Sequence, residues 1–344
     1  MALLEVKDLH TSFYTPAGEV KAVNGVSFNL ERGKVLGIVG ESGSGKSVTA
    51  YSIMQILEKT GKIVSGSVKF DGQELVGIGE EGMKKIRGNK ISIIFQDPMT
   101  SLNPIITIGQ QITSIILKHQ HCSEAEARIR AMELMKKVGI PNAENRFDDY
   151  PFQYSGGMRQ RIVIAIALSC QPKILICDEP TTALDVTIQA QILKLIKDLQ
   201  KEFGYTIVFI THDLGVVANI ADRVAVLYAG QIVELGTVED VFYDPRHPYT
   251  WAMLSSLPQL AQRNTELYSI TGTPPSLYNK IVGDPFAPRN PYCLTIDTLK
   301  DPPMFRISET HFAKTWLLDP RAPRVEKPEA IQNLHEKLMA AFNI

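Results

Sequence analysis

The chain has 344 residues, with 36 Lys and Arg against 37 Asp and Glu, and its formal net charge is −1. That length exceeds the usual size of one domain, so one large domain with an appendage, or two domains, is predicted. The charge balance excludes the global basic field that drives nucleic-acid binding, and any affinity for phosphate must be local.

Four cysteines, Cys122, Cys170, Cys177 and Cys293, show neither C-x-x-C spacing nor a partnering His pair. They read as reduced, mostly packed thiols. Glu5, Lys7 and Asp8 stand where a signal peptide needs an apolar run, which speaks against secretion and for the cytoplasm.

Leu3–Leu9, Ala22–Leu30 and Ser67–Phe70 read as strands of a small flanking sheet. The apolar run Val35–Val39 reads as a buried strand, and Gly40-Glu41-Ser42-Gly43-Ser44-Gly45-Lys46-Ser47 follows it and opens a helix. This is the G-x-x-x-x-G-K-[ST] phosphate loop in the strand–helix context it requires. Glycines let backbone N–H groups turn inward, and the helix N-terminus adds its dipole, so the β- and γ-phosphates are cradled. Lys46 supplies a compact charge and Ser47 a Mg²⁺ ligand. The candidate nucleotide-binding residues here are Gly40, Ser42, Gly43, Ser44, Gly45, Lys46, Ser47 and the adjoining Val48.

A second buried strand is predicted at Ile91–Phe95. The uncharged stretch Pro98–Leu117 reaches transmembrane length but contains Thr, Ser, Asn and two Gln, unlike a spanning helix. Ile105, Ile108, Ile112, Ile115 and Ile116 recur instead at the spacing of an amphipathic soluble helix. Ser123 and Glu126 stand in capping-box spacing at the start of a charged helix that ends at Gly139. Together these form a helical insert.

Ser155-Gly156-Gly157-Met158-Arg159-Gln160 is a second phosphate-binding signature, more than a hundred residues after the first. One nucleotide needs one phosphate loop, so the pair suggests ATP completed by a neighbouring molecule. Ile174–Cys177 then places Asp178 at the C-terminal end of a buried strand, where α/β sheets bind ligands. Asp178 is expected to hold Mg²⁺ directly or through water, and Glu179 to polarise the attacking water.

Ile188, Ile192, Leu195, Ile196, Leu199 and Phe203 form one stripe of a helix over Val186–Phe203, ended by Gly204. Further strands at Thr206–Ile210 and Val224–Tyr228 complete an alternation that predicts an α/β fold with a largely parallel sheet. From Pro245 onward the composition shifts, with 13 of the 20 prolines in the last hundred residues. Long regular elements are not expected there before an amphipathic helix at Glu329–Phe342. A boundary is placed near residue 258.

With Ser155–Gln160, the run Asp178-Glu179-Pro180-Thr181-Thr182-Ala183-Leu184-Asp185 and Thr211-His212-Asp213 resemble the signature, Walker B, D-loop and switch histidine of the ATP-binding cassette (ABC) family. The resemblance covers roughly residues 1–258 and implies a P-loop NTPase fold. Its parts would be a RecA-like core, a small antiparallel β subdomain and a helical signature subdomain at about 97–168. In that family two cassettes sandwich two ATP molecules head to tail. Carried over, Gln96 is the Q-loop glutamine that senses Mg²⁺ and γ-phosphate, His212 contacts the γ-phosphate, and Asp185 lies at the dimer seam. Ser155 and the N–H groups of Gly156 and Gly157 would bind the partner's γ-phosphate. The usual glutamine after the two glycines is Met158 here. The adenine is expected to stack on Phe13 or Tyr14, with Phe13 favoured.

Phe95-Gln96-Asp97-Pro98-Met99-Thr100-Ser101-Leu102-Asn103-Pro104, the run from Thr211 to Ala218 and His247-Pro248-Tyr249-Thr250 resemble the ATPase subunits of oligopeptide and dipeptide importers. The similarity continues at Pro285-Phe286-Ala287-Pro288-Arg289 and His311-Phe312-Ala313, in a proline-rich C-terminal extension over 259–344. Val48 after Ser47 favours the D-type subunit over its paired F-type. Many relatives carry cysteines in the extension that resemble iron–sulfur ligands. Here Asp284, Asn290, Asp297 and Thr315 stand in those places and Cys293 stands alone, so no iron–sulfur cluster is expected.

What the resemblance implies is an ATPase with ATP and Mg²⁺, on the cytoplasmic face of the membrane. Its expected partners are a second cassette (an F-type subunit or a copy of itself), two transmembrane permeases and, indirectly, an extracellular peptide-binding protein. Nickel or another small solute as cargo remains an alternative. A cassette ATPase acting on nucleic acid is disfavoured because the insert is short and lacks sustained heptads, and a tandem-cassette factor because one cassette is present.

Overall fold

The structure is a computed structural model that describes residues 2–182, 184–257 and 270–332. In chain order the first elements are β1 (Ala2–Thr15), β2 (Gly18–Glu31), β3 (Val35–Val39), α1 (Lys46–Met54), β4 (Gly61–Phe70), β5 (Gln73–Glu74) and α2 (Gly79–Lys84). The middle of the chain forms β6 (Ile91–Ile94), α3 (Pro98–Ser101), α4 (Ile108–His119), α5 (Glu124–Lys137), α6 (Ala143–Arg146), α7 (Gly156–Leu168), β7 (Ile174–Asp178) and α8 (Val186–Phe203). Then come β8 (Thr206–Thr211), α9 (Leu214–Ile220), β9 (Arg223–Tyr228), β10 (Gln231–Thr237), α10 (Val238–Tyr243), α11 (Pro248–Ser255), β11 (Phe305–Arg306) and β12 (Phe312–Ala313). They fall into two compact units, the first comprising Met1–Leu4, Leu30–Val35 and Phe70–Ile210, and the second Glu5–Asn29, Leu36–Lys69 and Thr211–Ile344.

In the first unit β6, β7 and β8 pair in parallel, with Ile94 opposite Cys177 and Asp178 opposite Ile210. Their side chains are almost all buried, as a parallel sheet covered on both faces requires. α7 packs on β6 and α8 on α7. On α8 the buried positions are Ile192, Ile196 and Leu199, three turns of one stripe, and Gly204 ends the helix at φ 67°. The helical insert is made by α4 and α5, which pack on each other and on α7. Ser123 and Glu126 close the capping box at the start of α5.

One expected helix differs in extent. The isoleucine stripe predicts a helix beginning at Ile105, but α4 begins at Ile108 and Ile105 is 81 % exposed. Pro104 cannot continue a helical hydrogen-bond ladder, so α3 and α4 stay separate. Gln111 fills the break: its amide donates to the carbonyls of Asn103 (2.9 Å) and Ile106 (2.8 Å). No described helix is long and apolar enough to cross a membrane.

In the second unit β3 pairs in parallel with β9, and β9, β10, β12 and β11 continue antiparallel, an edge that the run Val224–Tyr228 alone does not predict. β2, β1 and β4 lie side by side in a second sheet, which fulfils the expected flanking sheet. Val39, Val217, Val224, Val226, Tyr228, Tyr249 and Phe286 share one core. Between residues 270 and 332 only short 3-10 turns and the two-residue strands β11 and β12 occur among the described residues. The helix expected at Glu329–Phe342 lies, beyond the turn Glu329–Ile331, outside the described residues, and so does the boundary near residue 258.

Of the cysteines, Cys170 and Cys177 are buried and Cys122 is half-buried. Cys293 departs from the packed expectation and is exposed.

Candidate active site

The phosphate loop follows directly from the five buried residues of β3. Two of its glycines are required by close backbone approach. A Cβ on Gly40 would lie 2.2 Å from the Leu227 carbonyl oxygen, and one on Gly45 would lie 2.5 Å from that of Ala22. Gly45 also takes φ 99°, a left-handed conformation that side chains resist. The Lys46 side chain turns back over the loop, and its ammonium donates to the carbonyls of Gly40 and Glu41, both at 2.9 Å. Lys46 is 5 % exposed, so this cation is held by the loop rather than by water. The Gly230 N–H donates to the Ser44 carbonyl (2.9 Å), and Thr49 Oγ1 donates to the Gly45 carbonyl (2.9 Å), which ties loop to sheet and helix. A rigid, inward-turned loop at the start of α1 with a buried ammonium suits an anionic phosphate chain.

Glu41 is held at three points. Its N–H donates to the Tyr249 hydroxyl (2.9 Å), and its carbonyl accepts from Lys46. Its carboxylate accepts from both Nη atoms of Arg289, at 2.8 and 3.1 Å. Tyr249 and Arg289 lie inside the motifs His247–Thr250 and Pro285–Arg289, but the sequence assigned them no role. Phe13, also in this unit, is half-buried and packs so close to Gly61 that a Cβ there would meet its ring at 2.8 Å. Tyr14 is more exposed and has the Lys62 ammonium 5.9 Å from its ring centroid. His212 is exposed just after β8, and Asp213 caps α9 by accepting from Gly215 N–H at 2.8 Å.

In the first unit Asp178 closes β7 with 1 % exposure. Glu179 follows at φ 47°, a strained conformation for a non-glycine residue, and its N–H donates to the Ile210 carbonyl at 2.9 Å. Strain of this kind is kept where surrounding structure over-determines it, and here it fixes where the carboxylate points. Glu179 Oε2 accepts from the Gln96 amide (3.2 Å) and from the Thr182 hydroxyl (2.9 Å). Gln96 and Glu179 thus meet, though 83 residues separate them. Thr182 is a partner that the sequence did not single out.

The second signature opens α7. Ser155 is its N-cap and accepts from Met158 N–H (3.4 Å), leaving Ser155 and Gly156 exposed. Asp185 caps α8 by accepting from Ile188 N–H at 3.0 Å. The two helix starts touch, since a Cβ on Gly157 would lie 2.8 Å from Ile188. An exposed N-terminus with glycines and a serine hydroxyl suits a phosphate brought from outside the chain.

Asp284, Asn290, Asp297 and Thr315 are each less than a tenth exposed. Burial pushes the Asp284 carboxyl up to about 7, against the Phe286 N–H bond that favours its charged form, with nearby Asp297 adding to the rise. Among the described residues no group of three or more His, Cys, Asp or Glu side chains could hold a metal ion. Mg²⁺ in nucleotide enzymes is held by one or two protein groups together with phosphates and waters, a role Ser47 and Asp178 fit chemically.

The ABC transporter family profile matches residues 23–182, and that of the oligopeptide/dipeptide transporter C-terminal region matches residues 233–296. The oligopeptide transport ATP-binding protein AmiE of Streptococcus pneumoniae is 59 % identical over 98 % of this chain and 95 % of its own length. OppD of Bacillus subtilis, also an oligopeptide transport ATP-binding protein, is 57 % identical over 99 % of this chain and 96 % of its own. Among solved structures, a dimeric post-hydrolysis state of the ATP-binding cassette MJ0796 bound to ADP and Pi matches with a TM-score of 0.62 and 29 % identity, over 68 % of this chain and 98 % of that one. Phosphate loop, acidic strand end, second signature and near full-length similarity agree: the chain belongs to the ABC transporter family, among its oligopeptide and dipeptide transport ATP-binding proteins.

Proposed function

We propose that this chain is the ATP-hydrolysing subunit of an ABC importer, and that it energises uptake of oligopeptides or dipeptides through partner permeases. The names of relatives that match nearly end to end support peptide over nickel or nucleic acid as the substrate class. The chain would act at the cytoplasmic face of the membrane. Gly40, Ser42, Gly43, Ser44, Gly45, Lys46, Ser47 and Val48 bind the phosphates of its own ATP, and the half-buried Phe13 stacks the adenine. Ser47, Gln96 and Asp178 would hold Mg²⁺, which would neutralise charge on the phosphates. His212 contacts the γ-phosphate. Ser155, Gly156 and Gly157 close over the nucleotide of a second cassette, an F-type subunit or a second copy, with Asp185 at that seam. The proposed domain limits are 1–258 for the cassette and 259–344 for the extension.

The observation that carries hydrolysis is the placement of Glu179. Its backbone is strained, and its carboxylate accepts from the Gln96 amide and the Thr182 hydroxyl, an arrangement that supports a carboxylate held in place to orient the attacking water. Glu179→Gln keeps the shape and removes the basicity. It should retain MgATP binding and lose turnover by about 10²-fold or more. Single-turnover hydrolysis beside a nucleotide-binding titration checks this, and vigorous hydrolysis by the variant would refute the role of Glu179.

A further inference from the structure

Arg289 is 248 residues from Glu41 in sequence, yet its guanidinium grips the phosphate loop. Each of its three nitrogens donates: Nε to the Thr271 carbonyl (3.0 Å), Nη1 to the Tyr228 hydroxyl (3.2 Å), and both Nη atoms to Glu41. The Arg289 side chain is 5 % exposed and that of Glu41 27 %, so the pair sits largely out of water, where charge pairing is strong and a bare charge is costly. Aromatic packing fixes the approach. Phe286 stands edge-on to Tyr228 and to Tyr249, at 5.3 and 5.4 Å, and Tyr249 is the side chain that accepts from Glu41 N–H.

Glu41 is a negative charge inside a loop whose task, on the proposed ATPase role, is to receive a more negative triphosphate. Left alone it would repel its own ligand. We propose that Arg289 is a positioning residue for nucleotide binding: it neutralises and orients Glu41, so that the order of the segment around residues 271–289 sets the charge that the phosphate loop presents to ATP. The bidentate fork matters, because it holds the carboxylate plane as well as cancelling its charge. Lysine would restore the charge but not the geometry.

The test is a double-mutant cycle on the full chain, read by MgATP titration with a fluorescent analogue and by steady-state kinetics. Arg289→Ala should weaken MgATP binding about ten-fold and raise KM more than it lowers kcat, while Arg289→Ala/Glu41→Gln should recover to within about two-fold of the unaltered chain. Arg289→Lys should fall between and serves if the alanine variant does not fold. A purely structural Arg289 would leave the double variant as weak as Arg289→Ala, and that result, or an Arg289→Ala chain that binds as tightly as the original, overturns the proposal. An unaltered chain that binds no MgATP, like a Lys46→Ala control, would overturn the ATPase role instead.

Discussion

Asp284 shows what burial does to one carboxyl group in this chain. It is 3 % exposed and its Oδ1 accepts from Phe286 N–H at 2.9 Å. An unfolded chain releases this proton near 3.8, whereas burial holds it in the folded chain up to about 7. Below the lower value both states are protonated and folding has no charge to bury. As pH rises through the window only the unfolded state ionises freely, so this group's share of stability is lost up to the upper value. Asp284→Asn keeps the acceptor for Phe286 and never ionises. Its melting temperature should therefore match the original near pH 4 and exceed it by several degrees at pH 8, in thermal melts taken across that range. A gap independent of pH would show that Asp284 is not the titrating group. The sequence marks residue 284 as an aspartate in place of a cysteine, but only folding reveals the burial. Likewise Lys46, Ser47, Asp178 and Glu179 are legible because each lies at fixed spacing within a contiguous motif. Tyr249 and Arg289 are not, since they reach Glu41 across 208 and 248 residues.

At the scale of elements, α8 and α5 are legible because their signals are local: a stripe at helical spacing ended by a glycine, and a capping box. α4 begins late because a proline breaks a pattern that periodicity alone would extend. β10 was not legible, for it contains Glu234, fully buried at 0 % exposure. A buried carboxylate needs partners, and these come from distant chain: His311 Nε2 at 2.8 Å, and the N–H groups of Arg246 (2.7 Å) and His247 (3.0 Å). β12 pairs with β10 beside this contact, with Ala313 opposite Glu234. His311→Ala would take away one partner of a buried group and loosen β12 from β10. A loss of about 2 kcal/mol in stability follows from removing a hydrogen bond to such a group, measurable by denaturant unfolding. An unchanged midpoint would mean that water or a neighbour replaces the imidazole.

For the whole molecule, near end-to-end similarity to oligopeptide transport ATP-binding proteins supports the proposed role of a chain that energises transport through partners. On the proposed role, its exposed second signature is half of a site whose other half a facing cassette would supply. ATP turnover is therefore expected to respond to the assembled importer and its cargo. The most direct measurement is ATP hydrolysis by the chain reconstituted in proteoliposomes with its second cassette, two permeases and a binding protein, with and without oligopeptide in the lumen-excluded medium. Peptide should stimulate MgATP hydrolysis together with peptide accumulation inside, and both should vanish with Glu179→Gln. Hydrolysis indifferent to peptides, or stimulated only by a different solute, would contradict the account.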